Sequence, residues 1–81
     1  MQPYKINIRP TEHYLRDHAD VPWDLIIKTV LSPTKTHPNK RHGKNRITYI
    51  KAFDEFIIEI HAELDTVENV LYIINAFRNS R

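Results

Sequence analysis

Histidine and arginine recur where a short segment could bring them together. His13, Arg16 and His18 fall within six residues, and Asp17 follows His13 at a spacing of four. On a helix, residues three and four apart share a side, so His13, Arg16 and Asp17 would cluster. Imidazole gains or loses a proton near neutrality, and a guanidinium can fork two oxygens of a phosphate. Further along, Arg46 opens an apolar run, Tyr49 follows within it, and Asn75 interrupts the last apolar run. Together His13, Arg16, His18, Arg46, Tyr49 and Asn75 form a candidate phosphate-handling set. Each has a plainer alternative. His13 can pair locally with Asp17, and His18 suits the C-terminal end of a helix dipole. Arg46 can be a charge that protects a sheet edge. Tyr49 can be core beside Ile47, and Asn75 can be a satisfied structural polar group.

The distribution of charge says more than its sum. The chain has 81 residues and a formal net charge of +2. No acid falls between Asp24 and Asp54, while Lys28, Lys35, Lys40, Arg41, Lys44, Arg46 and Lys51 all do. The acids gather from Glu12 to Asp24 and from Asp54 to Glu68, which gives the folded domain one basic and one acidic aspect. Such asymmetry favours a polyanion on the basic side, with solvated lysines of a loop as the alternative. Lys35, Lys40, Arg41, His42, Lys44 and Arg78 are the candidate nucleic-acid contacts. His37, His42 and His61 do not read as metal ligands, because the first two sit among bases and no thiolate or carboxylate accompanies them. No metal or cofactor is expected.

These residues must be positioned by a small framework. A chain of this length supports one domain, 1–81, with a core near the size where dimerisation or a partner would help. There is no cysteine, and no apolar stretch approaches the ~20 residues that span a bilayer, so a cytoplasmic protein without a membrane partner is expected. Tyr4-Lys5-Ile6-Asn7-Ile8-Arg9 alternates apolar and polar residues and predicts a strand with Tyr4, Ile6 and Ile8 inward. Thr11 would cap a polar helix through about Ala19, with Glu12 in its first turn and Leu15 and Tyr14 as apolar contacts. Asp20 would cap a second helix, Pro22 in its first turn, ending near Leu31 before Ser32-Pro33. Its stripe is Trp23, Ile26, Ile27, Val30 and Leu31. Residues 34–45 read as a long basic loop.

From Arg46 onward three runs predict an antiparallel meander. Arg46–Lys51 is the first, and Phe56, Ile58 and Ile60 alternate with Glu55, Glu59 and His61 in the second. Val67–Phe77 is the third, with Val70, Tyr72, Ile74 and Ala76 on one face and Leu71, Ile73 and Phe77 on the other. Ala52-Phe53-Asp54 and Ala62–Thr66 would be the turns, and 78–81 a frayed end. The sum is an α+β domain of order β-α-α-β-β-β, with two helices on one face of an antiparallel sheet.

The same series of signals resembles a known family. His13 with Arg16-Asp17-His18, then Ile26-Ile27-Lys28-Thr29-Val30-Leu31-Ser32-Pro33, then Arg46-Ile47-Thr48-Tyr49, and finally Tyr72-Ile73-Ile74-Asn75-Ala76-Phe77 are similar to the small phage- and prophage-associated nucleases of the barnase–EndoU–colicin–RelE class, near the RelE-like toxins. The likeness runs from about Tyr4 to Phe77. In that family the last strand often ends Thr-Ala-Phe or Thr-Ala-Tyr, and Asn75 stands where threonine is expected. The family histidine corresponds to His13 or to His18. The resemblance implies a metal-independent ribonuclease that drives a ribose 2′-hydroxyl onto the adjacent phosphorus, with RNA as substrate and an antitoxin or other protein partner, or a homodimer, as the assembly. Such chemistry needs a base, an acid and fixed cations. His13 and Arg46 would then belong to one site. The alternatives are a non-catalytic nucleic-acid-binding module and a protein-interaction domain.

Overall fold

Alternation along the second meander run produces the central strand of a five-stranded sheet. The structure, a computed structural model, describes residues 7–81. In chain order the elements are β1 (Asn7–Pro10), α1 (Glu12–Asp17), α2 (Trp23–Leu31), β2 (Lys35–Pro38), a single 3-10 turn (Lys40–His42), β3 (Arg46–Ala52), β4 (Phe56–Asp65) and β5 (Val70–Ser80). The strands lie in the order β1-β5-β4-β3-β2. The β3–β4–β5 meander and the β2–β3 pair are antiparallel, but β1 runs parallel to β5, so the sheet is mixed and not antiparallel throughout. Of the expected first strand, Tyr4 and Ile6 lie outside the described residues.

Three further corrections concern segments expected to be loop, turn or frayed end. The stretch 34–45 is not one loop: Thr36 and Pro38 pair with Tyr49 and Ile47, making β2 an edge strand whose four residues are all exposed. Lysine and proline are the residue types that blunt such an edge. Gly43 closes the 3-10 turn at φ 143° and ψ 156°, a region essentially restricted to glycine. The C-terminal residues expected to fray extend β5 instead, Ser80 pairing with Phe56. Strand β4 continues through the residues expected to turn, and the reversal comes at 66–69. There Asp65 Oδ1 accepts from the amides of Val67 and Glu68 at 3.0 and 3.1 Å, and Asn69 takes φ 59°. Asp and Asn suit such turns because their side chains bond the local backbone and tolerate positive φ.

The helices are shorter than their polar patterns suggested. Thr11 caps α1 as expected, its Oγ1 accepting from the Tyr14 amide at 3.2 Å while donating to the Ile73 carbonyl at 2.7 Å. That second bond ties α1 to β5. Tyr14 is the buried contact of α1 at 3% exposure, whereas Leu15 is 57% exposed. The Tyr14 hydroxyl reaches the Val21 carbonyl, which fixes the α1–α2 connection. Helix α2 begins at Trp23 with Pro22 as its N-cap rather than Asp20. Its buried residues are Ile26 and Thr29, and Leu31 is 70% exposed, so the inward stripe is rotated from the expected one. Thr29 is tolerated there because its hydroxyl donates to the Leu25 carbonyl at 2.8 Å.

One cluster of buried residues joins the helical segment to the sheet. Tyr14, Val21 and Ile26 pack with Ile58, Ile60, Ala62, Leu71, Ile73 and Ala76. The positions on β5 change parity because the register shifts: His61 pairs with Asn75, but Ala62 pairs with Ile73, leaving Ile74 unpaired as a bulge. Leu71, Ile73 and Ala76 therefore face the core, and Val70, Tyr72, Asn75 and Phe77 face away from it. The expected division of β5 into two faces fails beyond Ile73 for this reason. A bulge adds one residue to one strand and re-aims the side chains that follow.

Candidate functional site

The face of the sheet turned away from α2 carries most of the chemistry-bearing side chains, in rows set by register. One row is Asn75 on β5, His61 on β4, Thr48 on β3 and His37 on β2. Beside it run Phe77, Glu59, Ile50 and Lys35, and on the other side Arg9, Tyr72, Glu63 and Arg46. His61 is held from both sides: Glu59 Oε2 lies 2.8 Å from its Nε2, and the Asn75 amide nitrogen 3.2 Å from its Nδ1. The Asn75 amide can donate to Nδ1 and the Glu59 carboxylate can accept from Nε2–H, so the two contacts together orient the ring. Arg46 donates from Nε to Glu63 Oε1 at 2.8 Å.

Helix α1 brings two more imidazoles to the same end of β5. Among the described residues no strand pairs with the outer edge of β5 past Ile73, and His18, the residue that ends α1, meets it: its Nδ1 lies 3.0 Å from the Ala76 carbonyl oxygen. Its Nε2 is 3.2 Å from Nε2 of His13, whose Nδ1 is 3.2 Å from Asp17 Oδ2. The carbonyl can accept from His18 Nδ1–H and the carboxylate from His13 Nδ1–H, which leaves the two Nε2 atoms facing each other as sites that can take up or give a proton. Phe77 joins this pair to the sheet row, its ring centroid 5.1 Å from that of His18 and 5.5 Å from that of His61.

The sequence-derived residues separate into three places. His13, His18 and Asn75 converge around Phe77, and Arg16 lies on the same helix, exposed, with Nε 3.7 Å from Asp17 Oδ2. Arg46 stands two strands from β5, about 10 Å by strand spacing, and is engaged by Glu63, so His13 and Arg46 are not in contact. Tyr49 points to the opposite face, packed against the core. Burial there raises its phenol pKa. Lys35, Lys40, Arg41, His42 and Lys44 are exposed along β2 and the 3-10 turn, at the far side of the sheet from α1. Arg78 is separate, its guanidinium carbon 5.3 Å from the centroid of Phe56.

Three participants were not among the sequence-derived candidates. His61 and Glu59 sit on the wet side of the β4 alternation, which is visible in the sequence, but their link to Asn75 depends on register. Phe77 was assigned to a face and given no role. Among the described residues, no three His, Cys, Asp or Glu side chains converge as a metal-ligand set, and no helix is long and apolar enough to cross a membrane. Comparison of the chain with protein-family models, with curated proteins and with solved structures finds no match.

Proposed function

We propose that this protein is a metal-independent ribonuclease of the RelE-like kind, toxin or phage-derived, with its site where α1 meets the end of β5. The observation that carries the reading is the His13–His18 pair, whose Nε2 atoms lie 3.2 Å apart beside an exposed aromatic ring. The two helices followed by the β3–β4–β5 meander, closing in Asn75-Ala76-Phe77, support a RelE-like ancestry in which β2 is an added edge strand. In the reaction RNA enters between the two Nε2 atoms and breaks their mutual hydrogen bond. One imidazole, neutral, takes the 2′-hydroxyl proton, the 2′ oxygen bonds to phosphorus, the P–O5′ bond breaks, and the other imidazole, protonated, gives its proton to O5′. One proton is accepted and one released, so the number of protons on the pair is unchanged. Arg16 supplies positive charge to the phosphoryl oxygens.

The exposed bases of β2 and the 3-10 turn support a second reading, a nucleic-acid-binding module without catalysis, whose binding would fall steeply with salt while no product forms. Incubation of the purified protein with total RNA in EDTA separates the two. Cleavage should leave 2′,3′-cyclic phosphate ends. His13→Ala and His18→Ala should each lose roughly 10²–10⁴ in rate, and the double variant little more than the worse single one, as for residues that act as a unit. Intact RNA, or cleavage that requires added divalent cation, would refute the proposal.

A further inference from the structure

We infer that the substrate is single-stranded, and that it stacks a base on Phe77 and runs its backbone over the open sheet face toward Lys35. The inference rests on the ribonuclease reading for the identity of the strand as RNA, but the surface argues for a single strand by itself. Phe77 is a large apolar residue left 40% exposed, on the side of the sheet turned away from α2. Its ring is flanked by His18 at 5.1 Å and His61 at 5.5 Å, both set at steep angles to it, 82° and 64°. Neither ring stacks parallel on Phe77, and its exposed part is the seat assigned to one planar partner. A base within a duplex already has both faces stacked and cannot offer one, whereas every unpaired base can.

Charge along the face supports the direction. The three carboxylates of β4 on this side are already engaged: Glu59 by His61, Glu63 by Arg46, and Asp65 by two turn amides. From β5 to β2 is three strand spacings, about 14 Å, and at the end of that path Lys35 and His37 project from the same face. The 3-10 turn with Lys40, Arg41 and His42 follows directly. A strand anchored at Phe77 thus passes Asn75 and His61, crosses above the buried Thr48, and meets its positive charge at His37 and Lys35 on the β2 edge. His61, held by Glu59 and Asn75, has its ring 5.5 Å from that of Phe77 and is placed to position the nucleotide there.

Fluorescence anisotropy with a short labelled deoxyoligonucleotide tests this without cleavage, since deoxyribose has no 2′-hydroxyl. The wild-type protein should bind the single strand and bind the same strand annealed to its complement at least about tenfold more weakly. Phe77→Ala should weaken single-strand binding by about 5- to 150-fold, the loss expected for one base–aromatic stack. Phe77→Tyr should restore it, and Phe77→Leu, which keeps apolar bulk without a ring face, should not. Lys35→Ala should reduce the salt slope of binding by about one. Unchanged binding in Phe77→Ala, equal binding of duplex and single strand, or no measurable binding would each overturn the inference. RNA cleavage indifferent to Phe77 would leave the ribonuclease reading standing and remove this one, and Phe77-dependent binding without cleavage would do the reverse.

Discussion

His18 performs two tasks through two different nitrogens, and substitutions can divide them. Its Nδ1 anchors the Ala76 carbonyl at the open edge of β5 at 3.0 Å, and its Nε2 faces His13 at 3.2 Å. His18→Asn places an amide nitrogen where Nδ1 was and keeps the anchor, but nothing replaces Nε2. His18→Ala loses both. The anchor is a partly buried hydrogen bond worth about 0.5–1.5 kcal/mol net, and the ring contact with Phe77 adds about as much. The alanine variant should therefore lose roughly 1–3 kcal/mol, and the asparagine variant only the ring contact, about 0.5–1.5 kcal/mol. In a domain of this size each kcal/mol lowers the thermal midpoint by about 4–8 °C. Activity should rank otherwise: loss of a proton-transfer group removes roughly 10²–10⁴ in rate, about 2.7–5.5 kcal/mol of barrier, from both variants alike. Urea denaturation and initial rates on RNA in EDTA, taken below both melting points, give the two rankings. If His18→Asn cleaves within about threefold of wild type, proton transfer by His18 is refuted. If both variants are equally stable, the anchor contributes nothing.

Burial raises the phenol pKa of both Tyr14 and Tyr49, with the Asp20 charge adding to the effect on Tyr14. The folded values lie above the unfolded one of about 10, so stability should be flat below about pH 10 and fall as pH rises through the interval up to the folded values. Urea midpoints between about pH 9 and 11 check this, and Tyr49→Phe should flatten the decline. In the core, Ile60 is fully buried while Leu31 is 70% exposed. Ile60→Val should cost about 0.5–1.5 kcal/mol, whereas Leu31→Ala should stay within about 0.5 kcal/mol; a larger loss at Leu31 in the same denaturation series would show that α2 is turned differently.

Local patterns carried the elements that bury something. Phe56, Ile58 and Ile60 alternate with charged neighbours because β4 packs one side on α2, and Thr11 is legible as a cap because its hydroxyl satisfies a helix amide wherever the helix sits. Lys35–Pro38 has no such pattern, since an exposed edge strand is made by its partner β3 and buries nothing of its own. The parallel β1–β5 pairing is equally invisible locally, because the neighbour of β1 lies at the other end of the chain. Helix α2 is legible in its apolar spacing but its inward side is not, because Thr29 is polar by type, although a threonine that bonds the carbonyl four residues back can be buried.

The site depended on one residue of offset. Read at a strict period of two, β5 places Asn75 and Phe77 on the same side as Leu71 and Ile73, which is the core side, and no phosphate-handling group could then include them. The extra residue at Ile74 reverses this. Ala76 takes the inward position against Ile60, and Asn75 and Phe77 turn outward beside His61 and His18. The sequence shows candidate histidines and a polar residue in an apolar strand, but a bulge is set by what the strand must meet on both sides. Here those demands are the carbonyls of Ile73 and Ala76, which Thr11 and His18 bond from α1 at 2.7 and 3.0 Å, and the inward apolar positions that β4 requires. Helix α1 is therefore both the source of the histidine pair and the element that the bulged end of β5 is shaped to receive, which is why so polar a helix persists in so small a domain.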